Sequence, residues 1–229
     1  MKPVEVFPGL YLLPDPLVNL FLIAEADGLT LIDAGRSGSA AGVLRAIQAL
    51  GRSPADLKRI LITHADPDHC GGANALRAAT GARVLASPVE AEAMAQGKPS
   101  RAFRGSLPVR AAFQVALALL MPTRPTPADQ IVQPGEAIPV WGGMRVLATP
   151  GHTPGHVSYF APAHGVLFAG DSMTVRGNVL TVVGGPVVWD EARAVQSACE
   201  QLALEPRWIL VGHGAPARAP FALDPRLKT

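Results

Sequence analysis

Short apolar runs alternate with turn residues through the first third of the chain. Leu10 to Leu13, Leu20 to Ile23 and Leu29 to Ile32 are separated by Pro14, Pro16 and the pair Asp27-Gly28. Runs of this length bounded by turn residues read as strands, and Asp-Gly between two of them is a strong hairpin signal. Two or three antiparallel strands are expected, the last ending at Asp33. The period then changes. Ala40, Val43, Leu44, Ile47 and Leu50 fall at helical spacing, with Gly51 as the stop. Ser53-Pro54 opens a short second helix, residues 58–62 form a strand, and residues 71–79 a helix. Arg83 to Ala86 is a further strand, and Pro88 occupies the first turn of a helix, where its missing N–H costs nothing.

Residues 97–128 interrupt this rhythm. Gly97-Lys98-Pro99 opens the stretch and Pro122, Pro125 and Pro127 close it. Between them lie Arg101, Arg104 and Arg110, then Phe113, Val115, Leu117, Leu119, Leu120 and Met121. A helical insert with one apolar face is expected, serving either as ordinary core or as a cap over a pocket. Short strands then resume at 131–132, 137–140, 144–147, 157–160 and 166–169. Asp190 is placed to cap a helix carrying Val195, Ala198, Cys199 and Leu202. A last strand, Trp208 to Val211, ends at Gly212-His213-Gly214.

Composition narrows the class. Of 229 residues, 48% are hydrophobic and 17% charged, enough for a large core and too ordered a mix for a disordered chain. A single domain over residues 1–229 fits. With 20 basic and 18 acidic residues, the charge balance gives no electrostatic case for a nucleic-acid partner. The two cysteines, Cys70 and Cys199, make no disulfide framework. The start, Met1 to Val6, has no apolar targeting core, and no apolar run reaches the roughly 18 residues of a membrane span. A cytoplasmic protein acting on a small molecule, without membrane attachment, is the expectation.

The unusual chemistry lies at strand ends. Thr63-His64-Ala65-Asp66-Pro67-Asp68-His69-Cys70-Gly71-Gly72 places two histidines and two aspartates within six residues, directly after Ile60-Leu61-Ile62. Adjacent carboxylates raise each other's energy, and a divalent cation reverses that sign. Asp33, His152, Asp171 and His213 also follow predicted strands, so an α/β scaffold would gather them at one edge. Imidazole and carboxylate together suit zinc, iron or manganese. His64 and Asp66 can face one centre, Asp68 and His69 a second, and His152, Asp171 and His213 complete two adjacent sites with Asp171 as the bridge. Two ions roughly 3.5–4 Å apart can hold a hydroxide and polarise the bond it attacks.

Thr63 to Gly72 resembles the T-H-x-H-x-D-H-x-G-G motif of the metallo-β-lactamase-fold superfamily. Thr149 to His152, Gly170-Asp171 and Gly212-His213-Gly214 resemble its later ligand motifs in order, and Leu31 to Gly35 resembles its early strand ending in Asp-x-Gly. The resemblance spans roughly residues 10–215. It implies a four-layer αββα sandwich of two mixed sheets and a dinuclear metal site at one edge. It also implies hydrolysis of esters, lactones, thioesters, β-lactams or phosphodiesters. The implied ligands are His64, Asp66, Asp68, His69, His152, Asp171 and His213, holding two divalent ions, zinc first and manganese or iron as alternatives. Asp68 and Asp171 are the implied catalytic carboxylates.

Asp66 departs from the pattern, since the hydrolases usually have histidine there. It lowers the formal charge of a two-metal site from +2 to +1, weakening the Lewis acid, and its oxygen donor favours harder ions, manganese or ferrous iron, over zinc. The flavodiiron reductases are similar in placing a carboxylate at this position, though they carry a flavodoxin domain that this chain lacks. The leading expectation is therefore a metal-dependent hydrolase of a small ester, lactone or thioester. The alternative is an iron enzyme acting on oxygen, nitric oxide or a persulfide. Among the remaining candidates, Asp33 is expected to orient a histidine ligand through its ring N–H. Cys70 is expected to point into the core. His156 is expected to support the site without ligating, and His164 to be exposed. Arg176 could meet a substrate carboxylate or phosphate.

Overall fold

The computed structural model describes residues 1–227, without the side chains of residues 109, 113 and 118. The first half contains β1 (Val4–Phe7), β2 (Leu10–Pro14), β3 (Asn19–Glu25), β4 (Gly28–Ile32), α1 (Ala40–Ala49), β5 (Leu57–Leu61), α2 (Pro67–Cys70), α3 (Ala73–Thr80), β6 (Arg83–Ala86) and α4 (Pro88–Gln96). The insert helix α5 (Leu107–Leu120) follows. The second half adds β7 (Gln130–Ile131), β8 (Ala137–Ile138), β9 (Met144–Ala148), β10 (Val157–Ala161), β11 (Val166–Gly170), β12 (Thr174–Arg176), β13 (Val179–Thr181), α6 (Glu191–Leu202), β14 (Trp208–Val211), β15 (Ala217–Arg218) and β16 (Ala222–Leu223).

Strands β1 to β7 form a seven-stranded sheet in sequence order, and a six-stranded sheet runs β15-β14-β11-β10-β9-β8. Both are mixed: β4, β5, β6 and β7 are parallel in the first, and β11 and β14 in the second. The expected hairpin forms between β3 and β4, where Glu25 pairs with Gly28 across the Ala26-Asp27 turn.

Period-two alternation explains the layering. On β3, Leu20 and Leu22 join the core beneath α1, α3 and α4, while Phe21 and Ile23 face the other sheet. On β11, Val166 and Phe168 meet that same inter-sheet core, and Leu167 and Ala169 pack under α6 with Ala194 and Ala198. Each sheet is therefore apolar on both faces, buried on one by its partner and on the other by helices. The result is the αββα sandwich.

Several local features differ from the sequence reading. A small three-stranded sheet, β12-β13-β16, was not foreseen, because each strand has only two or three residues. The second short helix at Pro54–Asp56 is a 3₁₀ turn capped by Ser53. His164, expected to be exposed, is half-buried and stacks on Trp141 at 3.9 Å between centroids. Among the described side chains of helix α5, Leu107, Val115, Leu119 and Leu120 are exposed, while Leu117 and the following Met121 line a cleft beside the polar loops. The side chain of Phe113 lies outside the described residues.

Candidate metal centre

The C-terminal ends of β4, β5, β11 and β14 open at one edge of the sandwich. Asn19 joins the two sheets there, its N–H donating to Gly212 O at 2.8 Å and its side-chain amide donating to Val211 O at 3.0 Å. After β5 the chain bends at Thr63, Asp66 is extended, and Pro67 then opens a single helical turn. That turn swings Asp68 and His69 back toward the residues that precede it. Close packing forbids a side chain at Gly212, because an added Cβ would press on Asp171 and His69.

The structure brings all seven expected residues together. His64, Asp66 and His152 offer converging donor atoms; so do Asp68, His69 and His213, and so do His64, His69 and Asp171. His152 Nε2 lies 3.1 Å from Asp66 Oδ2, and His64 Nε2 lies 3.5 Å from the same oxygen. His213 Nε2 is 3.4 Å from Asp68 Oδ2, and His69 Nε2 is 3.9 Å from it. Asp171 stands between the sets, with Oδ1 3.4 Å from His69 Nε2 and Oδ2 3.3 Å from His213 Nε2 and 3.6 Å from His152 Nε2. Tetrahedral ligands at zinc-like bond lengths are separated by about 3.3 Å, within the range seen here.

The donors also have the right free valences. Asp33 Oδ2 lies 2.8 Å from His69 Nδ1, and Thr63 Oγ1 bridges the Asp33 carboxylate, at 2.9 Å, to His64 Nδ1, at 2.9 Å. Because the Thr63 hydroxyl donates to Asp33, it accepts from His64. Both histidines then carry a proton on Nδ1, which leaves Nε2 as the ring atom that would face a cation. Asp33 thus orients one histidine directly and a second through Thr63. It does so from a left-handed backbone, φ 57°, a strained conformation for aspartate. His64 Nε2, His69 Nε2 and Asp171 Oδ1 are buried and, among the described residues, have no hydrogen-bond partner. Orphaned buried polar atoms are costly, and converging lone pairs of this kind are what a divalent cation satisfies. The residues present therefore fit a metal.

The electrostatics have the same sense. Burial works against the charged forms of Asp66 and Asp171, but cationic neighbours override it and hold both carboxyls well below the usual range. For Asp66 the leading neighbour is Arg101; for Asp171 it is His69. Burial likewise opposes the charged form of His213, yet hydrogen bonds to Asp171 and Asp68 push it up to about 10. His69 also rises, driven past its burial by Asp171, Asp33 and Asp68. Without a cation, the carboxylates draw protons onto the histidines instead. His156 is the exception: burial and the neighbouring His64 and His152 push it well down. Its neutral ring accepts from Asp171 N–H at 3.1 Å and contacts Thr149 Oγ1 at 2.8 Å, so it fixes the Asp171 backbone, a supporting position. Cys70 is buried in the core with no ligating geometry among the described residues.

Two residues central to the site were not singled out from the sequence. Glu90, at the start of α4, is fully buried and accepts from Ala65 N–H, Gly155 N–H and the hydroxyls of Thr153 and Ser100, tying the loop that carries His64 and Asp66 to the loop that carries His152. Arg101 reaches in from the insert. Its Nη1 and Nη2 donate to the two oxygens of Asp66 at 2.5 and 2.7 Å. Neither has a local signal; each is one charged residue in a stretch of ordinary composition.

A cleft of about 320 Å³ opens onto the centre. Phe103, Leu117 and Met121 from the insert line it together with Val183 and Val187, and Arg176 stands exposed on its lining.

This fold and ligand geometry coincide with what comparison shows. The family model described as the metallo-beta-lactamase superfamily matches residues 13–213, and the chain belongs to that superfamily. It is a metallo-hydrolase by class. It is 30% identical to a "Probable metallo-hydrolase YflN" of Bacillus subtilis (strain 168), over 93% of this chain and 86% of the relative. A hydroxyacylglutathione hydrolase of Rhodobacter capsulatus is 32% identical over 53% of this chain, which covers only 36% of that relative. Among solved structures, a Cronobacter sakazakii metallo-beta-lactamase with a HARLDQ motif superposes with a TM-score of 0.71 at 27% identity. The match covers 92% of this chain and 77% of that one. Among the described residues, no helix is long and apolar enough to cross a membrane.

Proposed function

We propose that this chain hydrolyses a small ester, lactone or thioester with a hydrophobic part, using a dinuclear divalent-metal centre. His64, Asp66 and His152 would hold one ion, Asp68, His69 and His213 the other, with Asp171 shared between them. The observation that carries the reading is that buried atoms without a hydrogen-bond partner among the described residues, His64 Nε2, His69 Nε2 and Asp171 Oδ1, belong to residues whose potential ligand atoms lie within 4.8 Å of one another. Bound metal would supply Lewis acidity toward the scissile carbonyl and a water of lowered pKa.

The protein's own groups do the rest. In the metal-free protein His69 and His213 together hold the Asp68 carboxyl below its usual range against the burial that opposes its charge, and as a carboxylate it can accept a proton from the attacking water. The same carboxyl can then return that proton to the leaving oxygen or sulfur. Asp33, Thr63 and His156 hold ligands and backbone still, which keeps the donors preorganised. Phe103, Leu117 and Met121 provide an apolar wall for the acyl or leaving part and exclude water from that side of the cleft. The acyl-glutathione in the name of one relative falls in the thioester class.

The iron-dependent redox alternative rested on the extra negative charge of Asp66. Arg101 neutralises that charge, so the Asp66–Arg101 pair matches a neutral histidine in formal charge while still offering an oxygen donor. The test is substitution of Asp171 or His152 by alanine, followed by metal analysis and turnover on a panel of chromogenic esters, lactones and thioesters. Metal content and turnover should fall together. Full activity in a metal-free Asp171→Ala protein would overturn the proposal.

A further inference from the structure

Arg101 sits inside the centre rather than beside it. Its side chain is 1% exposed. Nε donates to Val187 O at 2.7 Å, the two terminal nitrogens grip both oxygens of Asp66, and the guanidinium lies 5.2 Å from the Phe103 ring centroid. Nη2 is also 3.4 Å from His152 Nε2. The oxygen it holds, Asp66 Oδ2, is the one that His64 and His152 share. Any ion held by His64, Asp66 and His152 must therefore use an oxygen already engaged by a fixed positive charge. It must also compete with that guanidinium for the His152 lone pair.

Formal charge distinguishes the two positions. Asp66, Asp68 and Asp171 give −3 and Arg101 gives +1, leaving −2, which one divalent ion cancels. The uncompensated carboxylates, Asp68 and Asp171, both face His69 and His213. Resting on the metal-dependent reading above, we propose that Arg101 is a built-in cation that makes the two metal positions unequal. The Asp68–His69–Asp171–His213 position takes the first ion tightly. The His64–Asp66–His152 position takes a second ion weakly, because Arg101 has satisfied its carboxylate. A bidentate guanidinium–carboxylate pair in a buried setting is hard to displace, since parting it strands a charge.

The test is metal binding, independent of turnover. The full chain, stripped with chelator, is titrated with Zn²⁺ by calorimetry and with Co²⁺ by visible absorption, as wild type, Arg101→Met and Arg101→Lys. Wild type should bind one ion tightly and a second at least about tenfold more weakly. Arg101→Met, which keeps bulk and removes charge, should tighten the second ion by about tenfold or more and leave the first unchanged. Arg101→Lys, which keeps the charge, should stay close to wild type. Two ions of equal affinity in wild type would overturn the proposal whether or not the variants fold. So would a second ion that binds more weakly in Arg101→Met, since that result would make Arg101 a support for ligation. A wild-type chain that takes up no ion at all would overturn the metal-dependent reading itself, and the inference with it.

Discussion

Asp33 shows how much a single non-ligating side chain can organise. One carboxylate sets the tautomer of His69 directly and that of His64 through Thr63. Asp33→Asn should leave the fold in place and weaken metal binding by about 10–100-fold, the usual cost of losing such a partner, measured by competition with a chromogenic chelator. The protonation of His213 and His69 leads to a second expectation at this scale. Ligation needs neutral imidazole, so a metal ion must displace the proton that the carboxylates hold on His213 up to about pH 10. Metal addition at neutral pH should release protons, read with a dye in weak buffer, and affinity should rise with pH toward 10. The linkage has the opposite sign for the metal-free fold. A histidine whose folded pKa is raised contributes stability that is complete below its unfolded value, near 6.5, and is lost as pH rises toward 10. Metal-free protein should therefore lose thermal stability between those limits, and metal-loaded protein should lose less.

At the scale of elements, the insert carries two duties. Its first segment sends Arg101 into the centre, and α5 places Leu117 and Met121 along the cleft. The apolar positions expected to share one face do not share one environment among the described residues. Leu117 is half-buried against the cleft, while Leu119 and Leu120 are exposed. Leu117→Ala should raise KM for substrates with a long apolar part while leaving kcat and metal content near wild type. A matched fall in kcat and metal content would show that the helix supports the centre rather than the substrate. Helix α2 is the opposite case, only four residues long, yet it sets the angle between Asp66 and the pair Asp68 and His69. Its existence follows from Pro67, which cannot extend the preceding loop as a strand and is suited to a first helical turn.

At the scale of the molecule, much was legible along the chain. Period-two runs on β3 and β11 defined strands buried on both faces, and helical spacing defined α1 and α6. The clustered His and Asp residues stood out because a chain does not hold such charges together without a reason. Asp33 was legible because a polar residue ending a buried strand is conspicuous. Arg101 and Glu90 were not, since their partners lie 35 and 25 positions away in the chain. The short strands of the third sheet were also invisible, because two or three residues carry too little periodicity to register. The amino-acid order thus determined most strands and helices, the donor residue types and the strand ends that carry them, through local periodicity and the chemistry of strand ends, while the layering was what the family resemblance implied. Only the tertiary structure decided the charge of the centre. Asp66 reads as an extra negative ligand until Arg101 folds onto it, and a pairing between a ligand loop and a distant insert exists only once the chain is packed.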